Sequence, residues 1–249
     1  KSVIRGSMQW QDKGQGFLRK NLSGESEYSS FIPSSLDTVV PVELSEETVR
    51  LLSACSRKLG ELEGMLRFAP NASMYLAMYV RKEALLSAQI EGTQCTFDDI
   101  LDPENVELAQ RDVADVVNYI RATEYAVRRM NELPLCMRLL KEVHAELLSG
   151  TRGSEKNPGE VRSSQNWIGP AGCGLRNAAY IPPNVDDMHD ALGELDKFIN
   201  SDIAIDPIVK ASLVHYQFET VHPFLDGNGR LGRLLITLSL MNDGALSAA

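Results

Sequence analysis

The chain has 249 residues, 43% of them hydrophobic, enough to bury the core of one large domain or two small ones. Its 34 acidic against 25 basic residues leave a formal charge of −9. That balance opposes the phosphate attraction on which broad nucleic-acid binders depend, so no nucleic-acid partner is expected through these residues. No apolar run reaches the roughly 20 residues that span a bilayer, and the N-terminus lacks a signal-peptide series. A cytoplasmic protein with no membrane partner is the expectation.

Residues 1–30 are polar, rich in Gly, Ser, Lys and Glu, and carry no sustained periodicity, which predicts an extended, poorly ordered arm. Leu51, Leu52, Leu59, Leu62 and Leu66 then recur at near-helical spacing behind Ser45, Glu46 and Glu47, predicting a helix over 46–66. Pro70 and Asn71 interrupt the chain, and good helix formers from Ala72 to Glu91 stop at Gly92. Further helices are expected over 106–131, 135–148 and 186–200. Only the stretch from Gly169 to Pro183, with Tyr180-Ile181 set between turn residues, reads as a short hairpin. Cys55, Cys95, Cys136 and Cys173 form no CxxC pair and read as free thiols. The fold class is therefore all-α with one short β-hairpin.

Asp206-Pro207 is an N-cap and first-turn signature, and Ile208, Ala211, Val214, Phe218 and Val221 trace the apolar face of the helix it opens. That helix delivers His222. The run from His222 to Arg233, HPFLDGNGRLGR, leads into a second helix whose Leu231, Leu234, Leu235 and Leu238 repeat at i, i+3, i+4 and i+7. Gly227 and Gly229 around Asn228 let backbone N–H groups converge at a helix N-terminus, where the helix dipole adds positive charge: an anion site. Arg230 and Arg233 share one face and suit neighbouring phosphates. Asp226 can hold Mg²⁺, which needs few protein ligands beside phosphate and water. His222 titrates near neutrality and can act as general base. Phe224, lacking a reactive group, is assigned to the core as the anchor of the loop. Each residue alone has an ordinary structural explanation; the combination within twelve residues is what points to chemistry.

The run resembles the signature of the Fic (filamentation induced by cAMP) family, His-x-Phe-x-Asp/Glu-Gly-Asn-Gly-Arg-x-x-Arg, at every constrained position. The resemblance implies a Fic helical bundle in which His222 is the base and Asp226 binds Mg²⁺. It gives Gly227, Asn228, Gly229 and Arg230 to the α- and β-phosphates and Arg233 to the γ-phosphate. It implies transfer of AMP from ATP to a Tyr, Thr or Ser hydroxyl of a target protein, itself included, with release of pyrophosphate. Residues 159–162 and 165–169 are similar to the segment before the family's flap, and Ala179, Tyr180 and Ile181 to the flap that pairs with the target backbone. The likeness spans about residues 35–243.

Ser87-Ala88-Gln89-Ile90-Glu91-Gly92 resembles the family's inhibitory motif, with Ser87 and Glu91 on one helix face. The resemblance implies that Glu91 pairs with Arg233 and removes the cation meant for the γ-phosphate. The domain reading is thus a polar arm over 1–30, a helical region carrying the brake over 31–110 and a catalytic core over 111–249. Because the chain ends soon after the motif, a core truncated at its C-terminus is expected, and a homodimer is left open. Two competing readings remain: removal of AMP from a modified protein, with Glu91 positioning water, and a regulatory module that binds nucleotide without turnover. His144 is read as structural, since it has no metal-ligand partner at helical spacing, and His189 and His215 are read the same way.

Overall fold

The computed structural model describes residues 15–40, 42–68, 70, 72–101, 110–151 and 153–247. The described chain runs β1 (Gly16–Asn21), β2 (Tyr28–Pro33), α1 (Leu36–Val39), α2 (Glu46–Phe68), α3 (Ala72–Ile90), α4 (Phe97–Leu101), α5 (Gln110–Arg129), α6 (Met137–Leu147), α7 (Val185–Ile199), α8 (Pro207–Val221) and α9 (Asn228–Asn242). The fold is mostly helical with one two-stranded antiparallel sheet.

The central unit is the antiparallel pair α8–α9, packed against α5 and α6. Asp206 caps α8 by accepting the N–H of Ile208 at 2.9 Å, and Pro207 supplies the fixed φ of the first turn. In α9 the four leucines predicted to form its apolar face are all buried; each contributes on the order of 1.5–3 kcal/mol of burial. They meet Leu139, Leu140, Val143 and Leu147 of α6, Val116 and Tyr119 of α5, and Ala84 and Ala88 of α3 in one core. Alanines at those two α3 positions let that helix approach closely, which matters below.

Outside this core α2 is peripheral: none of its residues is buried, and Leu51 and Leu62 of its predicted apolar face are exposed. The expected boundary at 110/111 falls at the start of α5, whose buried face belongs to the common core. Of the helix expected over 106–131, positions 106–109 lie outside the described residues.

Two expectations about β structure are corrected. The polar arm expected to residue 30 is ordered from Gly16 as the β1–β2 hairpin, with Leu18 opposite Phe31 and Arg19 opposite Ser30; residues 1–14 lie outside the described residues. The stretch 169–183 forms no regular hairpin. It holds one isolated antiparallel bridge, Ile168 with Tyr180, and the ladder is extended by a bond from the Phe31 N–H to the Ile181 carbonyl. Gly and Pro residues on both sides remove the donors and the regular backbone that a longer ladder needs.

Candidate active site

His222 closes α8. Its own backbone is left-handed, at φ 49° and ψ 62°, a conformation that costs a side-chain-bearing residue about 1–2 kcal/mol and persists only where neighbours enforce it. They do. The carbonyls of Val221, His222, Pro223 and Phe224 are all bonded by the segment 162–166. Arg162 donates from Nη2 to Val221, from Nε to His222 at 3.1 Å and from its backbone N–H to Pro223 at 2.8 Å. Asn166 Nδ2 donates to the His222 and Phe224 carbonyls, each at 3.2 Å.

The ring of His222 is largely buried, and burial holds its pKa down at about 4, outweighing the nearby Glu219 carbonyl that favours the proton. It is therefore a neutral imidazole at pH 7. Nδ1 is buried without a well-formed hydrogen bond, with the Glu219 carboxylate 4.0 Å away, so Nε2 is the nitrogen left to accept a proton. Glu219 itself is pushed upward by burial, with His215 and Arg233 opposing the shift.

The turn that follows is held from inside. Phe224 is fully buried, as its assignment to the core required, and stacks on His144 with centroids 3.8 Å apart. The Gly159 N–H donates to His144 Nδ1 at 2.8 Å, so Nε2 carries the proton and donates to the Asp226 carbonyl at 2.9 Å. Burial lowers the His144 pKa and keeps it neutral for this role. His144 is thus structural, as its sequence context suggested, and the structure it supports is the turn that follows His222. His215 Nδ1 lies 2.8 Å from the Gly232 carbonyl and braces α9 against α8.

Asn228 spends both ends of its amide on Phe224: the Phe224 N–H donates to Oδ1 at 2.9 Å, and Nδ2 donates to the Phe224 carbonyl at 2.8 Å. What Asn228 leaves free is its main-chain N–H. The N–H groups of Asn228, Gly229 and Arg230 are in the first turn of α9 and have no intrahelical acceptor, which suits the helix N-terminus to an anion. Gly227 is required by a left-handed φ of 76° and by His144 Nε2, 3.3 Å from where a β-carbon would stand.

Arg230 is buried between two carboxylates, Asp115 Oδ1 at 3.5 Å and Asp226 Oδ1 at 3.6 Å, and its Nε has no partner among the described residues. Asp226 accepts the Gly227 N–H on Oδ1 at 2.6 Å. Its Oδ2 accepts no hydrogen bond among the described residues. A half-exposed carboxylate beside an anion site suits Mg²⁺, which takes one or two carboxylates and fills its shell with phosphate and water. The described residues contain no cluster of three or more metal-ligating side chains.

Arg233 is held by α3. Its Nε donates to Ser87 Oγ at 2.8 Å, and Nη2 donates to the Ser87 carbonyl at 3.0 Å and to Glu91 Oε1 at 2.8 Å. Glu91 Oε1 also lies directly over Gly229, where a β-carbon would collide with it. Gly92, at φ 91°, ends α3 just beyond. In the flap, Tyr180 donates to the Thr220 carbonyl at 2.7 Å and exchanges backbone bonds with Ile168.

Residues 49–128 match the family model described as Fic/DOC family N-terminal, and residues 134–240 match that described as Fic/DOC family. The chain belongs to the Fic/DOC family. Among curated relatives it is 26% identical over 198 residues to the protein adenylyltransferase Fic of Drosophila sechellia, covering 78% of this chain and 37% of that protein. It is 32% identical over 105 residues to protein adenylyltransferase fic-1 of Caenorhabditis elegans, covering 41% of this chain and 18% of that one. The chain thus spans a minor part of the relatives it matches. Among solved structures it resembles a Fic family protein from Desulfovibrio desulfuricans, with TM-score 0.62 at 25% identity over 81% of this chain and 59% of that one. It also shares its fold with a Fic domain containing signaling protein from Bacteroides thetaiotaomicron, with TM-score 0.63 at 20% identity over 76% and 73% of the two chains.

Beyond the signature, Arg162, Asn166 and Asp115 are the residues that sequence reading passed over. Asp115 offered no signal among the acidic residues of α5; Arg162 and Asn166 stood in segments noted for resemblance but not for a role.

Proposed function

We propose that this Fic chain transfers AMP from ATP to a hydroxyl side chain of a target protein and that Glu91 holds it in an inhibited state. The observation that carries the reading is the placement of a neutral histidine base, an available carboxylate and two arginines around one helix N-terminus. His222 Nε2 takes the proton of the target Tyr, Thr or Ser hydroxyl as its oxygen bonds to the α-phosphorus. The bond from that phosphorus to the bridging oxygen breaks, and pyrophosphate leaves. The α9 N–H groups and Arg230 face the negative charge that develops. Mg²⁺ would be held by Asp226 and would supply charge neutralisation on the phosphates. Ala179, Tyr180 and Ile181 would align an extended target segment by strand addition.

Inhibition follows from the Arg233 contacts. With its guanidinium committed to Ser87 and Glu91, and the Glu91 carboxylate over Gly229, a γ-phosphate meets a carboxylate in place of a cation. The same placement of Glu91 beside the anion site supports a second reading, in which it orients water for removal of AMP from a modified protein.

Wild type, Glu91→Gly and Glu91→Gly/His222→Ala, incubated with Mg²⁺ and α-labelled ATP with and without lysate, test the proposal. Protein-bound label that rises in Glu91→Gly and disappears in the double variant is expected. Absence of label from all three sinks the transferase reading; loss of AMP removal from a pre-modified protein in Glu91→Gly would favour the second.

A further inference from the structure

We infer that Arg162 is a positioning residue for the His222 base, acting with Asn166 as a bracket that ties the flap to the catalytic turn. The inference rests on the function proposed above, in that His222 is taken as the base.

Arg162 is 1% exposed, the largest of the fully buried side chains, and every hydrogen bond given to its side chain ends on a main-chain carbonyl: His222, Ser164, Pro183 and Val221. Among the described residues no carboxylate bonds or ion-pairs with it; its side-chain bonds all end on carbonyls. A buried cation is expensive unless its donors are used, and here they are spent on the C-terminal end of α8, where aligned peptide dipoles present negative charge. Burial nevertheless draws its pKa down to about 10, still far above neutrality, so the cation persists.

The bracket explains a conformation that local sequence opposes. His222 bears a β-carbon and precedes Pro223, which steers its neighbour toward extended backbone, yet His222 is left-handed. A peptide rotated out of that state would swing the His222 carbonyl away from Arg162 Nε and Asn166 Nδ2 together. The ring direction is set by the same backbone, so the bracket fixes where Nε2 points. On its other side the bracket holds the end of the flap, through Arg162 Nη2 to the Pro183 carbonyl and Gln165 Nε2 to the Pro182 carbonyl at 2.9 Å. One buried guanidinium therefore sets the flap strand and the base relative to one another. A planar five-donor fork does this; an ammonium cannot reach four carbonyls in these directions.

The test uses the full chain in the Glu91→Gly background, with Arg162→Met, Arg162→Lys and Asn166→Ala compared with the parent. Binding of a fluorescent ATP analogue, the rate of label transfer at saturating ATP, and NMR titration of the His222 ring are followed. Nucleotide affinity should stay near that of the parent while the transfer rate falls by about 10²-fold in Arg162→Met, the scale of a misplaced catalytic group. Arg162→Lys, which keeps the charge but not the fork, should also transfer slowly yet leave the His222 titration near the parent's. Arg162→Met should move that titration upward, since a repelling cation is gone. Asn166→Ala removes two bonds without unpairing a charge and covers the case in which Arg162→Met fails to fold; a drop in its transfer rate at unchanged affinity is expected. Parent-like transfer in Arg162→Lys and Asn166→Ala overturns the inference, as does an equal loss of affinity and rate in every variant. If the parent itself transfers no label, the proposed function has failed. The His222 ring resonances then decide: displaced resonances in both Arg162→Lys and Asn166→Ala support the bracket, and parent-like resonances in both overturn it.

Discussion

At the residue scale the site's chemistry depends on which groups are buried uncharged. The His222 pKa of about 4 lies below the ordinary histidine value because burial disfavours the imidazolium. As the proposed base, His222 would therefore stay deprotonated throughout the neutral range, and initial rates in the Glu91→Gly variant should stay flat as pH falls from 8 to about 6. An acid limb near 6.5 would show instead that His222 is solvated. The same depression acts on stability. A histidine kept neutral when folded lets the unfolded chain bind more protons, so the stability present above about 6.5 is lost as pH falls toward 4. His144, lowered in the same direction, adds to that loss. Urea midpoints should accordingly drop between pH 6.5 and 4.5, and His144→Gln should reduce the slope in that window. Gly229 gives a sharper test of the brake. A methyl there would strike Glu91 Oε1 and stand 3.1 Å from Arg233 Nη1, so Gly229→Ala should expel the Glu91 carboxylate proposed to inhibit. The methyl fills the same space over the helix N-terminus, so label transfer should not rise as it does in Glu91→Gly. Transfer equal to that of Glu91→Gly would show that the phosphate does not need this space.

At the element scale, helices were legible because their signals are local. The Asp206-Pro207 start and the delivery of His222 at the helix end placed α8, and the spacing of Leu231, Leu234, Leu235 and Leu238 showed that a second helix follows the loop. Replacing the cap, Asp206→Ala, should lower stability by about 1 kcal/mol, read by urea unfolding. Nucleotide affinity should be unaltered, since this end of α8 is opposite His222; a parallel loss of affinity would mean that α8 does not transmit order as a rigid rod. The contact of Glu91 with Arg233 was legible only through resemblance, because no periodicity predicts which face of α3 meets α9. The strands were misread for a physical reason. Residues 16–21 are mostly exposed, Phe17 and Leu18 included, so their burial pattern lacks the alternation that marks a half-buried strand. Their order comes from pairing with β2 and from Asn184 and Asp187 far along the chain, and single-segment composition holds no trace of the latter.

At the scale of the whole molecule, the N-terminal hairpin is tied to the flap side of the core at several points. Arg19 pairs with Asp187, Asn184 Nδ2 donates to Asn21 Oδ1 at 2.8 Å, Tyr28 donates to Gln165 at 3.1 Å, and the Phe31 N–H bonds to the Ile181 carbonyl at 2.9 Å. Gln165, the residue Tyr28 reaches, also holds the Pro182 carbonyl, so the hairpin leans on the segment that brackets the catalytic turn. Asp187 is the anchor with the clearest test. Its side chain is 9% exposed against 47% for Arg19, and it also accepts from Asn184 Nδ2 at 2.8 Å. In Asp187→Ala the hairpin loses a half-screened ion pair worth about 1 kcal/mol or less. Protection of the Phe31 amide against hydrogen exchange should therefore fall by roughly fivefold while amides inside α9 keep theirs. Equal loss in α9 would mean that hairpin and core unfold as one cooperative unit. Unequal loss would establish the hairpin as a separately opening cover, one whose release changes access to the Ile181 edge while leaving His222 and the α9 N-terminus in place.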